Sequence, residues 1–237
     1  MSKIYKYELN RLLINKFFLG LLAVTMIYSY MTMGSEIVLG VADTAPFSSW
    51  SFGVFLSKIL PLLMVTLAFF LSFLCSPNEK RVQILTDATP VPHQKYILIR
   101  YAAIVTGFLI ISLAAIAVSL IFYAYIFRFT DFRGSFAPAL LALIPSLLLF
   151  LGLGTALGKL HPTLVYVLIP VALLLPLAPL PYAADLYAGR FFAQYPSSLG
   201  TVEPSFAVPT SILAGKVVCS LVGIGLTWLG FSRKRKA

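Results

Sequence analysis

The stretch "FGVFLSKILPLLMVTLAFFLSFLC", residues 52–75, contains a single charged residue, Lys58, among mainly apolar side chains. A helix of this length extends about 36 Å, which exceeds the roughly 30 Å hydrocarbon core of a lipid bilayer. Helices buried in soluble proteins rarely contain more than about 14 consecutive apolar residues, and they keep a polar face that this stretch lacks. The stretch therefore predicts a transmembrane helix.

The rest of the chain has the same apolar character. Of its 237 residues, 59% are hydrophobic and 11% are charged, whereas a typical soluble domain has roughly 25% charged residues. The sequence predicts six transmembrane helices, at residues 17–34, 52–75, 101–127, 137–158, 163–182 and 208–231. No linker is long enough to mark a second domain, so we expect residues 1–237 to form one all-α, polytopic membrane domain.

Residues 1–16 have an amphipathic pattern, with one apolar and one polar helical stripe. The stripes comprise Tyr5, Leu9, Leu12 and Leu13 on one side, and Lys3, Lys6 and Asn10 on the other. This pattern predicts a helix that lies along the inner membrane surface. Two alternatives stay open: a frayed basic tail, or a secretory signal that ends near the small residues at 39–43.

Lysine and arginine are concentrated in one set of connections. The cation-rich set holds Lys3, Lys6, Arg11, Lys16, Lys80, Arg81, Lys95, Arg100, Lys159, Arg233, Lys234, Arg235 and Lys236, and the other set holds Arg128, Arg133 and Arg190. Because such cations favour the cytoplasmic side, we expect both termini in the cytoplasm, with the chain in the plasma or inner membrane. The asymmetry of these connections and attraction to anionic membrane lipids explain most of the net charge of +10. The charge therefore does not require that the chain binds nucleic acid.

The fourth and fifth predicted spans are joined by the short connection "KLHPT", so we expect them to form an antiparallel pair. Gly154 and Gly158 in the fourth span have the small-xxx-small spacing that allows close helix packing. The fifth span contains Pro170, Pro176, Pro179 and Pro181, which predict a kinked or broken outer end. Residues 183–207, rich in aromatic and small side chains, form the predicted extracytoplasmic connection, anchored at the headgroups with short half-helices that dip into the membrane.

Motifs for catalysis are missing from the sequence. The glycine-rich "GLGTALGKL" at residues 152–160 is not a phosphate-binding loop, because Leu153 and Leu160 occupy positions that need glycine and Ser or Thr. The two histidines, His93 and His161, are isolated, and we interpret them as interface residues rather than metal ligands. The sequence therefore predicts no catalytic residue, no metal site and no cofactor in this chain.

Lys58 and Lys216 are the charged residues placed well inside the predicted spans. Both lie at a similar depth, roughly 9 to 12 Å from the predicted outer edge. Lysines that face a bundle interior can line a transport pathway, and this is one interpretation of the pair. The other is that their amines reach the headgroups or bind acidic residues. The candidate acidic partners are Glu36, Asp43, Asp185 and Glu203.

A polar interruption, "EKRVQILTDATPVPHQKY" at residues 79–96, separates the second and third spans. Its pattern predicts a short amphipathic helix that ends before Pro90 and Pro92. Held at the inner face by two spans, such a helix could bind a cytosolic partner. A solvated connector with cations extended towards the headgroups is the alternative.

The layout resembles the membrane subunit of ABC-2 type transporters, which have an interfacial elbow helix, six spans and a coupling segment between spans two and three. In that family the segment begins with an acidic residue and continues through an apolar turn to a small-residue–Pro element and a basic residue. Glu79, Pro90 and Arg100 follow this order, although the glycine often found after the acid is absent. The resemblance implies that residues 76–96 couple the chain to an ATPase, through Glu79, Lys80, Arg81, Gln83, Leu85, Thr86 and Pro90.

The resemblance also implies partners and an activity. A separate cytosolic subunit would bind ATP and Mg²⁺ and hydrolyse the ATP, and a second permease copy or paralogue would complete an export pathway among the membrane lipids. Two alternatives remain open. One is an ATP-independent channel or secondary transporter, and the other is a membrane immunity or anchor protein that transports nothing.

The predicted orientation can be tested with single cysteines. Cysteines introduced at Ser35 and Ser197 should react with a membrane-impermeant thiol reagent on intact cells, because both positions lie in predicted outer connections. A cysteine at Ser232 should react after the cells are opened and not before. Labelling of position 232 on intact cells would contradict the predicted orientation.

Overall fold

The computed structural model describes residues 2–41, 44–75, 93–201 and 204–232. Helices dominate these ranges: α1 Ser2–Leu13, α2 Lys16–Thr32, α3 Ser49–Cys75, α4 His93–Ile126, α5 Phe136–Leu160, α6 Leu168–Leu174, α7 Gly189–Ser198 and α8 Thr210–Ser232. The predicted coupling residues lie outside the described residues; they are Glu79, Lys80, Arg81, Gln83, Leu85, Thr86 and Pro90.

Five helical segments within the described ranges are long and apolar enough to cross a membrane. They are Lys16–Ile37, Ser49–Phe73, Lys95–Ile126, Arg133–Leu160 and Thr210–Gly230. These segments correspond to five of the six predicted spans, and they confirm the prediction of an all-helical chain with the composition of a multi-pass membrane protein.

The predicted fifth span, residues 163–182, differs from a single long helix. It consists of a 3-10 helix at Pro162–Val167, the short helix α6, and a second 3-10 helix at Leu175–Leu177. Proline supplies no backbone N–H and collides with the preceding helical turn, so Pro176, Pro179 and Pro181 prevent a regular continuation. The apolar segment Pro162–Leu177 is therefore shorter than the five spanning segments.

Helix α3 is the centre of the bundle. In the most apolar part of Ser49–Phe73, 78% of the residues are buried, against 17% for Thr210–Gly230. A helix that is apolar on every side has no face that favours water, and neighbours cover α3 on all sides. Five helices pack against it: α2, α4, α5, α6 and α7. The outer helices keep exposed apolar faces, as expected for helices that contact lipid.

Helices α5 and α8 cross at two glycines. A Cβ atom on Gly152 would collide with the backbone of Gly223, and one on Gly223 would collide with the backbone of Leu148. Glycine permits this close approach because it has no side chain. Gly154, singled out from the sequence, lies instead against the Leu71 side chain of α3, and Gly158 is half-buried.

Helix α1 is amphipathic and lies against α4. Its apolar stripe is half-buried and its polar stripe is exposed, as the sequence pattern predicts. Tyr5 and Thr106 share a hydrogen bond of 2.8 Å between their hydroxyls. At the start of α4, Tyr96 donates to a Glu8 carboxylate oxygen at 3.2 Å, and Arg100 forms an ion pair with Glu8 at 3.8 Å.

The crossing of α5 and α8 predicts a position-specific effect of adding one methyl group. Gly223→Ala should lower the thermal midpoint of the detergent-solubilised protein, because overpacking against a backbone costs about 1–3 kcal/mol. Gly225→Ala is the matched control, since a Cβ there meets nothing within 4 Å. Its midpoint should be unchanged or higher, because alanine favours helix. Equal midpoints for the two variants would contradict the crossing.

Candidate functional site

Residues 183–192 enter the helical bundle and form what we call the inserted segment. The residues at 186–188, 191 and 192 are each 4% exposed or less; they are Leu186, Tyr187, Ala188, Phe191 and Phe192. The ring of Phe192 occupies the space that a side chain at Gly53 of α3 would need. The inserted segment leads into the short helix α7, which lies in the connection where the sequence predicted short half-helices.

Lys216 of α8 holds the inserted segment in place. Its ammonium donates hydrogen bonds of 2.6 Å to the backbone carbonyls of Asp185 and Leu186, and the residue is 3% exposed. The preceding residue, Gly215, allows α8 to approach closely, because a Cβ there would collide with the Ala183 carbonyl. Carbonyls in irregular backbone have no helical donor, so a buried donor must satisfy them.

Further side chains satisfy the rest of the inserted segment. The Asp185 carboxylate accepts hydrogen bonds of 3.1 Å from the backbone N–H groups of Tyr187 and Arg190. The Tyr187 hydroxyl donates to the Ala172 carbonyl at 3.1 Å, and Ser146 of α5 donates to the Leu186 carbonyl at 3.3 Å. These bonds join the segment to α5, α6 and α8.

Lys58 of α3 has a different environment from Lys216. It forms an ion pair with Glu36, and the two side chains are 40% and 50% exposed. Glu36 lies in a π-helical turn, Met33–Ile37, that continues α2. Such wide turns inside helices often occur at functional sites. From the sequence, the two lysines have a similar predicted depth. In the structure, Lys58 belongs to an exposed ion pair, whereas Lys216 is a buried hydrogen-bond donor to the backbone.

A cavity of about 700 Å³ lies between α2, α3, the 3-10 turn after α6, and the inserted segment with α7. Its walls are mainly apolar and include Val24, Val54, Pro61, Leu62 and Leu173. Val24 and Leu173 are 52% and 51% exposed, so the cavity is open to the apolar surface of the bundle. We call it the lateral cavity. Its size falls within the roughly 300–1,000 Å³ typical of ligand pockets.

Polar side chains line one part of the lateral cavity. They are Tyr28, Ser57, Lys58, Asp185, Arg190 and Gln194. Two of the charged lining residues are cations, Lys58 and Arg190, and one is acidic, Asp185, so the lining carries one positive charge in excess. Of the two lysines predicted as pathway residues, Lys58 lines the cavity and Lys216 does not. Arg190 was not among the site residues predicted from the sequence. Its one distinguishing feature there is a positive charge in a connection that contains few cations.

The described part of the chain contains no group of three or more His, Cys, Asp and Glu side chains that could hold a metal ion. His161 begins the 3-10 helix Pro162–Val167, where its ring nitrogen Nδ1 accepts from the Thr163 backbone N–H at 3.4 Å. That contact gives His161 a local role at the start of a helix.

The two lysines should respond differently to the same substitution. Lys216→Met removes two hydrogen bonds from an ammonium to buried carbonyls, and a hydrogen bond to a charged group contributes about 1.5–3 kcal/mol. Lys58→Met removes a half-exposed ion pair, which contributes about 0–1 kcal/mol. Thermal unfolding in detergent should show a clearly lower midpoint for Lys216→Met than for Lys58→Met. The reverse order would contradict the structural role of Lys216.

No protein-family model matches this chain, no curated protein is significantly similar to it in sequence, and no solved structure is significantly similar to it in fold. Its function is therefore inferred from the helix layout, the lateral cavity and the charges around it.

Proposed function

We propose that this chain is the permease subunit of an ATP-driven transporter of ABC-2 type and that the lateral cavity belongs to its translocation pathway. The observation that carries the proposal is the cavity itself: about 700 Å³ of mainly apolar space, with two cations, inside a bundle of membrane-length helices. A protein that served only as a membrane anchor would need no such space. A transport protein needs a place for its cargo within the bundle.

The helix layout supports coupling through residues 76–96. These residues connect α3, the central helix, with α4, which carries α1 through the contacts of Tyr5 and Glu8. A partner that displaced this connection would act on the bundle centre through α3 and on the interfacial helix through α4.

The proposal includes partners outside this chain. A cytosolic ATPase subunit binds ATP and Mg²⁺ and supplies the motion, and a second permease copy or paralogue completes the pathway. The chain lies in the plasma or inner membrane with both termini in the cytoplasm, as the distribution of lysine and arginine indicates. Under that orientation the inserted segment and α7 lie in the outer half of the membrane. Export is the direction that the resemblance to ABC-2 type transporters implies.

Purification from native membranes tests this function. In mild detergent, the tagged chain should co-purify with a nucleotide-binding subunit and with ATPase activity. Glu79→Lys should remove most of that activity by reversing the charge at the start of the coupling segment. Gln83→Pro should do the same, because an interior proline costs a helix about 3 kcal/mol. Both variants should insert into the membrane in normal amounts.

Glu203→Lys is the matched control, since it makes the same charge reversal in the predicted outer connection. It should retain the associated ATPase. If the wild-type chain co-purified with no nucleotide-binding subunit, the ABC transporter assignment would be overturned. An ATP-independent transporter or an anchor protein would then take its place.

A further inference from the structure

We infer that the lateral cavity binds a single-chain amphiphile with an anionic headgroup. Lys58 and Arg190 hold the headgroup, and the apolar chain lies along Val24, Leu62 and Leu173. This names the substrate class of the proposed permease and rests on that function for its role in transport. The binding step itself depends only on the cavity.

The charges around the cavity select the sign of the headgroup. Lys58 and Arg190 are cationic lining residues, and Asp185 is the acidic one. The Asp185 carboxylate keeps its negative charge while it accepts from the N–H groups of Tyr187 and Arg190, so the two cations and one acid sum to a charge of +1. Within the described part of the chain, the Arg190 guanidinium makes no hydrogen bond or ion pair. A guanidinium is well suited to a phosphate or carboxylate, which it can bind through two parallel hydrogen bonds.

The apolar walls select the rest of the ligand. Val24 and Leu173 are lining residues on the exposed side of the cavity, and Leu62 lies deeper along α3. A wholly polar anion would leave these walls uncovered. An acyl or alkyl chain would cover them, and it could enter from the apolar surface of the bundle without crossing water. An amphiphile would place its headgroup at the cations and its apolar chain along these walls.

Glu36 acts as an internal competitor for the headgroup. It forms an ion pair with Lys58 but is not a lining residue of the cavity. Both side chains are about half exposed on the bundle surface, so a ligand anion can reach Lys58 beside Glu36. An arriving headgroup therefore replaces the Glu36 carboxylate at Lys58. Removal of the Glu36 charge should strengthen binding of an anionic amphiphile, which a purely structural ion pair would not predict.

The test is equilibrium binding of two radiolabelled lysolipids with the same acyl chain to the purified full-length chain in a non-ionic detergent. Lysophosphatidylglycerol is the anionic probe and lysophosphatidylcholine is the zwitterionic one. The anionic probe should bind about tenfold more tightly, because both probes carry a phosphate but lysophosphatidylcholine also carries a cationic choline that Lys58 and Arg190 repel. The double variant Lys58→Gln/Arg190→Gln should bind the two probes with equal affinity, because it lacks the cations that discriminate between them.

Three further variants make the test specific. Glu36→Gln should bind the anionic probe several-fold more tightly than the wild type. Arg133→Gln removes an exposed cation that does not line the cavity, and it should bind both probes normally. Val24→Trp fills the apolar part at an exposed position and should weaken binding of both probes. Each variant should keep the thermal midpoint of the wild type within a few degrees.

Equal affinity for the two probes would overturn the inference, as would an unchanged preference in the double variant. Weaker anionic binding by Glu36→Gln would contradict the competitor role. These results are independent of the ATPase test, because the binding assay contains no partner subunit. Anionic binding without a co-purifying ATPase would keep the site and remove the transporter. The ATPase without anionic binding would keep the transporter and remove this substrate class.

Discussion

The structure depends on satisfying the backbone of a non-helical segment inside an apolar bundle. Away from water, each unpaired carbonyl or N–H costs several kcal/mol in hydrocarbon, so irregular backbone needs built-in partners. Lys216 supplies donors to the carbonyls of Asp185 and Leu186, and Asp185 supplies acceptors to two N–H groups. One lysine and one aspartate thereby hold the inserted segment among α3, α5, α6 and α8.

The lateral cavity follows from the inserted segment. Asp185, Tyr187 and Arg190 form part of its wall, and α3 forms the wall opposite the exposed side. The segment also contains local strain, since Ala188 has a φ of 55°, in the left-handed region that non-glycine residues rarely adopt. Such a conformation persists where the surroundings determine it, here through burial of Ala188 and its neighbours. This wall places Arg190 at the cavity.

Much of the fold could be predicted from the sequence because apolar length alone identifies a membrane helix. Five spanning segments agree with the prediction, and the stripe on α1 is half-buried as its pattern indicates. The region after α5 was harder, because its apolar composition resembles a span while its prolines interrupt one. The crossing at Gly152 was missed in favour of Gly154, since spacing shows that small residues share a face but not which helix covers it. The different roles of Lys58 and Lys216 could not be predicted, because equal depth does not reveal the partner.

The central proposal is that the lateral cavity belongs to an ATP-driven translocation pathway, and cysteine reactivity tests it most directly. In a variant without native cysteines, Ala193→Cys lines the cavity, and Ser197→Cys lies exposed on the same helix outside it. Alkylation rates would be compared in native membrane vesicles with ATP and with a non-hydrolysable analogue. The account predicts that the rate at position 193 differs several-fold between the two nucleotides, while the rate at position 197 does not. Equal rates at position 193 under both conditions would contradict a cavity that belongs to an ATP-driven pathway.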